Sequence, residues 1–298
     1  MNPVLRAYIL LALTAAIWGG NVIAGKLAVG HISPMLLTMI RWVMALGLML
    51  LFAWPQVRRD RAVIRRHLPF LILLGAIGFA AFNLLFYTAL QYTSAINVAI
   101  VQGGMPAIIF LLNFVLFHIR ATVAQVIGFI LTLVGVAIVA ANGSLGRLLA
   151  LEVNFGDALM LIAVVIYGGY TVALRFKPDI HWQSMMTVLS AAALLMTIPF
   201  AAWEIASGAA IWPDTQGYIT TAYTAIFPSL VSQVLYIKGN EIIGSNRAGL
   251  FVNLVPIFGT LMSVAIIGEE LHLFHIVALV LVLGGIAIAE RRRQAGTA

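Results

Sequence analysis

The apolar residues of this chain fall into ten long runs, separated by short breaks at charged residues, Pro, Gly and Asn. A helix that crosses a bilayer needs about 20 mostly apolar residues, and most of these runs reach that length. Most connections are so short that consecutive helices should be antiparallel neighbours. The pattern therefore predicts an all-α membrane protein with spans near residues 6–27, 33–54, 69–91, 95–117, 121–141, 155–174, 183–206, 216–238, 247–267 and 272–290.

Composition supports this prediction and excludes several functions. The chain is 62% apolar and 9% charged, whereas soluble domains carry about 25% charged residues. It contains no Cys, which excludes disulfides and thiolate metal sites. Neither a phosphate-binding loop nor a metal or dinucleotide motif is present, so we predict no enzyme activity, no cofactor and no metal.

The positive charges predict the orientation. The formal net charge is +7, and in a soluble protein this would suggest a nucleic-acid partner. Here the cations cluster between apolar runs, so they indicate the bilayer surface instead. Five arginines crowd the link at 55–68, and almost all other cations fall on the same side. The positive-inside rule therefore predicts that both termini are cytoplasmic. The first run lacks a clear cleavage site, and we expect it to remain a span.

An internal repeat relates the two halves. Ile17–Lys26 has the sequence I-W-G-G-N-V-I-A-G-K, and Ile166–Arg175 has I-Y-G-G-Y-T-V-A-L-R, at an offset of 149 positions. Pro106 and Pro256 continue the series at an offset of 150. We predict a first five-span repeat at 1–145 and a second at 146–298. Because five is odd, the repeats should be inverted in the membrane around a central cavity, as in many secondary transporters.

The polar residues inside the spans suggest where that cavity lies. All acidic residues and histidines lie in links or within about one turn of a span end, so we expect no carboxylate to couple transport at the midplane. The central positions carry aromatic and amide side chains on shared helix faces. The candidate substrate-binding residues are Trp18, Asn21, Phe82, Asn83, Tyr87, Gln102, Met105, Tyr167, Tyr170, Gln233 and Asn253. Rings would provide stacking surface, and amides would bind amino and carboxylate groups.

Each of these features also has a simpler interpretation. Aromatic stripes and buried amides often only join helices. Pro106 and Pro256 would kink matching spans, as hinges or as inert kinks. Arg41 lies about 12 Å into the second span, and we expect it to find carbonyls, a carboxylate or water. The sequence is compatible both with a structural role for Arg41 and with a contact between Arg41 and the substrate.

Several ordered motifs carry a family resemblance. In the first half they are Trp18–Gly19, Lys26, Ser33–Pro34, Arg41, Tyr87–Ala95, Pro106, Gly128 and Gly135; in the second they are Pro256, Gly268–Leu271 and Gly284–Gly285. Together they resemble the EamA-type members of the drug/metabolite transporter superfamily, and in particular the aromatic amino-acid exporters of bacterial inner membranes. The chain departs from this pattern at His118–Arg120, at Tyr167 in place of Trp, and at Ser190 opposite Arg41.

The resemblance implies export of aromatic and other neutral amino acids across a bacterial inner membrane by alternating access. It also implies that Trp18, Phe82, Asn83, Met105 and Tyr167 face the solute. Export of drugs or of nucleotide-sugar-like metabolites is the alternative, and a membrane assembly protein without transport is a further one. An excess of cationic side chains in the cavity would favour phosphorylated solutes, and the sequence does not predict one.

Overall fold

A computed structural model describes residues 2–118, 122–144, 146, 154–243 and 251–291. All regular structure in these ranges is helical. The α-helices are α1 Pro3–Leu27, α2 Pro34–Leu74, α3 Phe82–Tyr92, α4 Ala95–Gln102, α5 Met105–Phe117, α6 Val123–Ala140, α7 Phe155–Ala173, α8 Trp182–Ala206, α9 Thr215–Ile226, α10 Ser232–Ile243, α11 Val255–Met262 and α12 Leu273–Arg291. Three π-helical segments, Gly75–Ala81, Phe227–Val231 and Ser263–Ile267, and two 3₁₀ turns, Leu174–Phe176 and Phe251–Leu254, join some of them.

Five helical runs in the described ranges are long and apolar enough to cross a membrane, and three shorter apolar helices accompany them. The prediction of an all-helical, multi-pass membrane protein is thus confirmed. Some sequence predictions lie outside the described residues, namely the links around 119–121 and 147–153, the beginning of the span at 247, and the cations Arg120, Arg147, Arg247, Arg292 and Arg293.

The predicted link at 55–68 is wrong, because the chain is helical from Pro34 through the π-helical segment to Tyr92. A straight helix would separate Trp42 from Phe79 by about 55 Å, yet their rings stack at 4.9 Å between centroids. The helical run must therefore bend back on itself. Pro55 and Pro69 lie inside it, and proline is a common cause of sharp helix bends.

Helices α2 and α8 occupy equivalent positions in the two repeats and pack antiparallel. The Glu204 carboxylate, near the end of α8, accepts hydrogen bonds from Ser33 Oγ at 2.5 Å and from the Leu36 N–H at 3.0 Å, at the start of α2. In return, Asp60 Oδ2 accepts from the His181 N–H at the start of α8 at 3.1 Å. Each helix N-terminus, where N–H groups lack intrahelical partners, is thus capped by a carboxylate from the other repeat.

Helices α6 and α12 form a second equivalent pair, in closer contact. A Cβ atom on Gly135 would lie 2.8 Å from the Ala278 carbonyl oxygen, and one on Gly285 would lie 2.5 Å from the Gly128 carbonyl oxygen. Gly135 and Gly285 are 150 positions apart in the sequence, and so are Gly128 and Ala278. The two helices therefore pack antiparallel. Gly135 and Gly285 thus allow the two helices to approach closely, whereas a Cβ atom on Gly284 would have no neighbour within 4 Å.

The repeats interlock rather than lie side by side. Helix α1 of the first repeat packs against α10 and α11 of the second, and α7 of the second packs against α3 and α5 of the first. Gly19 allows α1 to approach Phe258, and Gly168 allows α7 to approach Ile108 at the equivalent position. These exchanged contacts place the first helix of each repeat next to the centre of the molecule.

Candidate functional site

A cavity of about 390 Å³ lies at the centre of this arrangement and is lined by residues from both repeats. Its size is within the range of small-molecule sites. Its walls come from α1, α2, α3, α7, α8 and α10, from the breaks before α5 and α11, and from π-helical segments.

Nearly all the candidate residues lie on the wall of this cavity. The structure brings together Trp18, Asn21, Phe82, Asn83, Gln102, Met105, Pro106, Tyr167, Tyr170, Gln233, Asn253 and Pro256. Tyr87 is the exception, because it is 1% exposed and lies behind the wall. Its hydroxyl donates to Asn21 Oδ1 at 2.9 Å and accepts from Arg41 Nη1, so Tyr87 supports two cavity residues.

The rings form two groups on the cavity wall. Trp18 and Tyr236 lie 5.6 Å apart between centroids, and Trp18 Nε1 donates to Ser232 Oγ at 2.9 Å. On the other side, Tyr167 lies 4.8 Å from Phe82 and 5.2 Å from Tyr170. These tilted arrangements are typical of favourable ring pairs and hold apolar faces against the cavity.

The charged group on the wall is Arg41, which is 5% exposed. Its Nε donates to Ser229 Oγ at 2.9 Å, and its Nη1 donates to Asn83 Oδ1 at 2.8 Å and to the Tyr87 hydroxyl. The guanidinium carbon lies 5.1 Å from the Trp42 ring centroid, a distance at which cation–π attraction is significant. All these partners are neutral.

As expected, Arg41 finds a carbonyl oxygen, that of the Asn83 side-chain amide, and its other hydrogen-bond partners are a serine hydroxyl and a phenol. Across residues 2–118, 122–144, 146, 154–243 and 251–291, no carboxylate pairs with it and no hydrogen bond engages its Nη2. The sequence did not predict a cationic side chain on the cavity wall, whereas the structure places the Arg41 guanidinium there, with two N–H donors of Nη2 unused among the described residues.

Broken helices surround the same cavity in both repeats. The fourth predicted span is interrupted at Gly103–Gly104, and the equivalent region of the ninth span is the 3₁₀ turn Phe251–Leu254. Pro106 and Pro256 are each in the first turn of the helix that follows, where a missing N–H costs little. The positive ends of α5 and α11 thus face the cavity beside Arg41.

Matching π-helical segments also reach the wall. Gly78 and Phe79 lie in Gly75–Ala81, and Pro228 and Ser229 lie in Phe227–Val231, at an offset close to that of the repeat. Such segments occur frequently at functional sites. Here one of them directs Ser229 towards Arg41. Sequence patterns do not predict π-helical geometry, although Pro228 in an otherwise apolar span was a usable signal.

The cavity is closed at one end of the molecule. We call this the Lys26 end, and the opposite one the Arg175 end. Helix α4 separates the cavity from the Lys26 end, and each residue from Ala95 to Val101 is 3% exposed or less. Towards the Arg175 end, the lining continues through Thr171 and Leu174 on α7 and its 3₁₀ turn, and through Val252. The structure is therefore sealed at the Lys26 end.

Comparison with known proteins agrees with this architecture. The sequence profile of the EamA-like transporter family matches residues 5–141 and again 154–290. The uncharacterized transporters YyaM and YetK of Bacillus subtilis are 27% and 24% identical, over 96% and 97% of this chain and 94% and 88% of their own. An uncharacterized transporter of Archaeoglobus fulgidus is 26% identical over 97% of this chain and 99% of its own. A solved structure titled only as the crystal structure of a protein has a TM-score of 0.66 at 19% identity, over 98% of this chain and 99% of that one, which supports the fold alone.

Proposed function

Because the chain belongs to the EamA-like transporter family, we propose that it exports neutral amino acids, aromatic ones in particular, across a bacterial inner membrane. In the proposed orientation both termini are cytoplasmic and the Lys26 end faces outwards. The lining of the cavity extends towards the Arg175 end, so in this orientation the cavity would receive its solute from the cytoplasm.

The observation that carries the substrate class is the unpaired guanidinium of Arg41. A buried cation needs an anionic or strongly polar partner, and its Nη2 donors are unused in the described part of the chain. A carboxylate is the anion that guanidinium groups bind in a two-pronged geometry. The N-termini of α5 and α11 add positive potential on the same wall, so a carboxylate would be bound there and a free amine repelled.

The remaining wall suits the rest of an aromatic amino acid. The ring group of Tyr167, Phe82 and Tyr170 offers a stacking surface. The buried amide oxygen of Gln102 has no hydrogen-bond partner among the described residues, and it could accept from an ammonium group. In our proposal, the solute binds between the repeats, and one repeat then rocks against the other to open the Lys26 end.

A counterflow assay in liposomes tests this proposal. Labelled phenylalanine should exchange faster than in empty liposomes, and phenethylamine, which has the same ring but no carboxylate, should not compete. Arg41→Gln should reduce phenylalanine exchange by about tenfold or more, because a hydrogen bond to a charged group is lost. Arg41→Lys should recover only part of this loss, because Lys lacks the planar fork.

Arg59→Gln is the matched control, because Arg59 is exposed in the bent region of α2 and its loss should leave exchange unchanged. If no amino acid crosses faster than in empty liposomes, the substrate class is wrong. Equal competition by phenethylamine would refute carboxylate recognition. Transport of apolar aromatic compounds without dependence on Arg41 would favour the alternative, a drug or metabolite exporter, for which the ring-lined walls are the supporting observation.

A further inference from the structure

A second cavity, of about 460 Å³, lies at the Lys26 end. Its lining is polar and includes Lys26, Thr93, Asn97, Glu269 and His275. Helix α4 lies between it and the central cavity, since Asn97 lines one and Gln102 the other. These residues are about 7.5 Å apart along the helix axis, so α4 is a thin barrier between two cavities.

Groups from several elements hold the N-terminus of this barrier. Glu269 accepts hydrogen bonds from the Ala95 and Ile96 N–H groups at 2.8 and 2.9 Å. Lys26 Nζ donates to the carbonyl oxygens of Leu90 and Thr93 at 3.0 and 2.7 Å. Both repeats thus contribute to holding α4 in its closed position.

Asp157, in the first turn of α7, is a buried carboxylate that also contacts the N-terminus of α4. It is 0% exposed. Thr93 Oγ donates to its Oδ1 at 2.6 Å, and Asn97 Nδ2 lies 3.3 Å from its Oδ2. No cation pairs with it in the described ranges. A carboxylate with only neutral partners in a low-dielectric interior is costly to keep charged, so its neutral form becomes accessible.

The donors around Asp157 match its ionised form. His275 Nδ1 accepts from the His272 N–H at 3.1 Å, so its Nε2 carries the proton and donates to Asn97 Oδ1, 3.2 Å away. This fixes the amide group of Asn97 towards Asp157 as a donor. Asn97 Nδ2 also lies 3.4 Å from Asp157 Oδ1. Protonation of Asp157 would remove the charge from this acceptor, and hydrogen bonds to a neutral acceptor are weaker than those to a charged one, so the bonds from Thr93 and Asn97 would both weaken.

We propose that Asp157 is a proton-binding site that controls the α4 barrier. The ionised carboxylate holds Thr93 and Asn97, and the Lys26 end stays closed. A proton taken from water in the second cavity converts the carboxylate to the neutral acid, which weakens its bonds with Thr93 and Asn97 and releases the N-terminus of α4. By linkage, opening of the barrier and proton binding then favour each other.

Other titratable groups lie around this network and must be separated from Asp157 in any test. In the described residues they are Lys26 on α1, Tyr92 at the end of α3, Glu269, Glu270 and His272 before α12, and His275 in the first turn of α12. Both hydrogen-bonding nitrogens of His275 are already used in its neutral form.

The absence of Cys allows a test that needs no solute. Ile96→Cys places the sole thiol on α4, at a position that is 0% exposed, and Ala209→Cys places it at an exposed position in the link after α8. The rate of maleimide modification at Ile96→Cys, divided by that at Ala209→Cys, corrects for the change in thiolate fraction with pH. This ratio should rise by about tenfold as pH falls from neutral to acidic.

Adding Asp157→Asn should make the ratio high at all pH values, because the amide is neutral at every pH and its hydrogen bonds with Thr93 and Asn97 are weaker than those of a charged carboxylate. Asp214→Asn, at an exposed carboxylate that also bonds a histidine, should leave the pH response of the wild-type background intact. A pH response that persists in Asp157→Asn would refute the proposal, and so would a ratio that does not depend on pH.

Hydrogen exchange at the backbone amides of residues 95–98 gives a second measurement on chains without any cysteine, in case Ile96→Cys does not fold. After correction for intrinsic rates, exchange should accelerate at acidic pH in the natural chain and be fast throughout in Asp157→Asn. Unchanged protection in both would refute the proposal. None of these outcomes depends on which solute is transported.

Discussion

The contact between α6 and α12 predicts opposite effects for the same substitution at neighbouring positions. In Gly285→Ala, the new Cβ would lie 2.5 Å from the Gly128 carbonyl oxygen and 3.1 Å from the Thr132 backbone nitrogen. Backbone atoms cannot rotate away as a side chain could, so the two helices must separate. In Gly284→Ala, the new Cβ would meet nothing within 4 Å.

The magnitudes follow from two opposing terms. Overpacking costs about 1–3 kcal/mol, and replacing Gly by Ala inside a helix gains about 0.8–1 kcal/mol. For Gly285→Ala the clash dominates, and we expect a net loss of roughly 1–2 kcal/mol in the free energy of unfolding. For Gly284→Ala only the gain remains, so it should stabilise the protein by up to about 1 kcal/mol.

The assay is the free energy of unfolding in mixed micelles, measured by titration with a denaturing detergent and followed by circular dichroism. Gly135→Ala should resemble Gly285→Ala, because its Cβ would lie 2.8 Å from the Ala278 carbonyl oxygen. The double variant should lose less than the sum of the two, since one separation of the helices relieves both clashes. Equal stability of Gly284→Ala and Gly285→Ala would refute the close packing on which this reasoning depends.

Three further predictions concern hydrogen bonds. Glu204→Ala leaves the start of α2 without its cap. It should lower the free energy of unfolding, measured in the same titration, by about 3 kcal/mol or more, because buried N–H groups lose a charged acceptor. No loss would mean that water replaces the cap. Tyr87→Phe removes the hydroxyl that contacts Arg41 and Asn21 and should raise the KM for a transported carboxylate by about fivefold. An equal rise for an uncharged solute would contradict this role. The hydrogen bond with His31 holds the pKa of Asp214 below its usual range. The contribution of this bond to stability is therefore present above about pH 4, the ordinary pKa of Asp, and is lost as pH falls through the lowered pKa. Asp214→Asn should accordingly lower Tm at neutral pH but not in strong acid.

The architecture could be predicted from the sequence because the signals for it are long and repeated. Apolar runs of about 20 residues indicated spans, and the matching segments around Gly19 and Gly168 indicated a duplication. The wall of the central cavity was also largely predictable, since polar and aromatic residues such as Asn83 and Tyr167 are costly or unusual on lipid-facing surfaces and tend to lie inside.

Other features depend on geometry that no local pattern encodes. The sequence placed Arg41 at a given depth but did not show that its partners would be Ser229, Asn83 and Tyr87, which come from a distant π-helical segment and from α3. A bent helical run replaced the predicted link at 55–68, because the charged residues there are compatible with helix as well as with loop. Asp157 was correctly placed near a span end, but its complete burial depends on Thr93 and Asn97.

The reciprocal contacts across α6 and α12 have a consequence for how such a protein could arise. Gly135 meets Ala278 as Gly285 meets Gly128, so each repeat uses the same surface to bind the other, as identical subunits do in a symmetric dimer. Two copies of a single ancestral five-helix chain, inserted in opposite directions, would form these contacts without any fusion. Gene fusion would then fix one copy in each direction, and only afterwards could residues such as Arg41 and Ser190 diverge at equivalent positions.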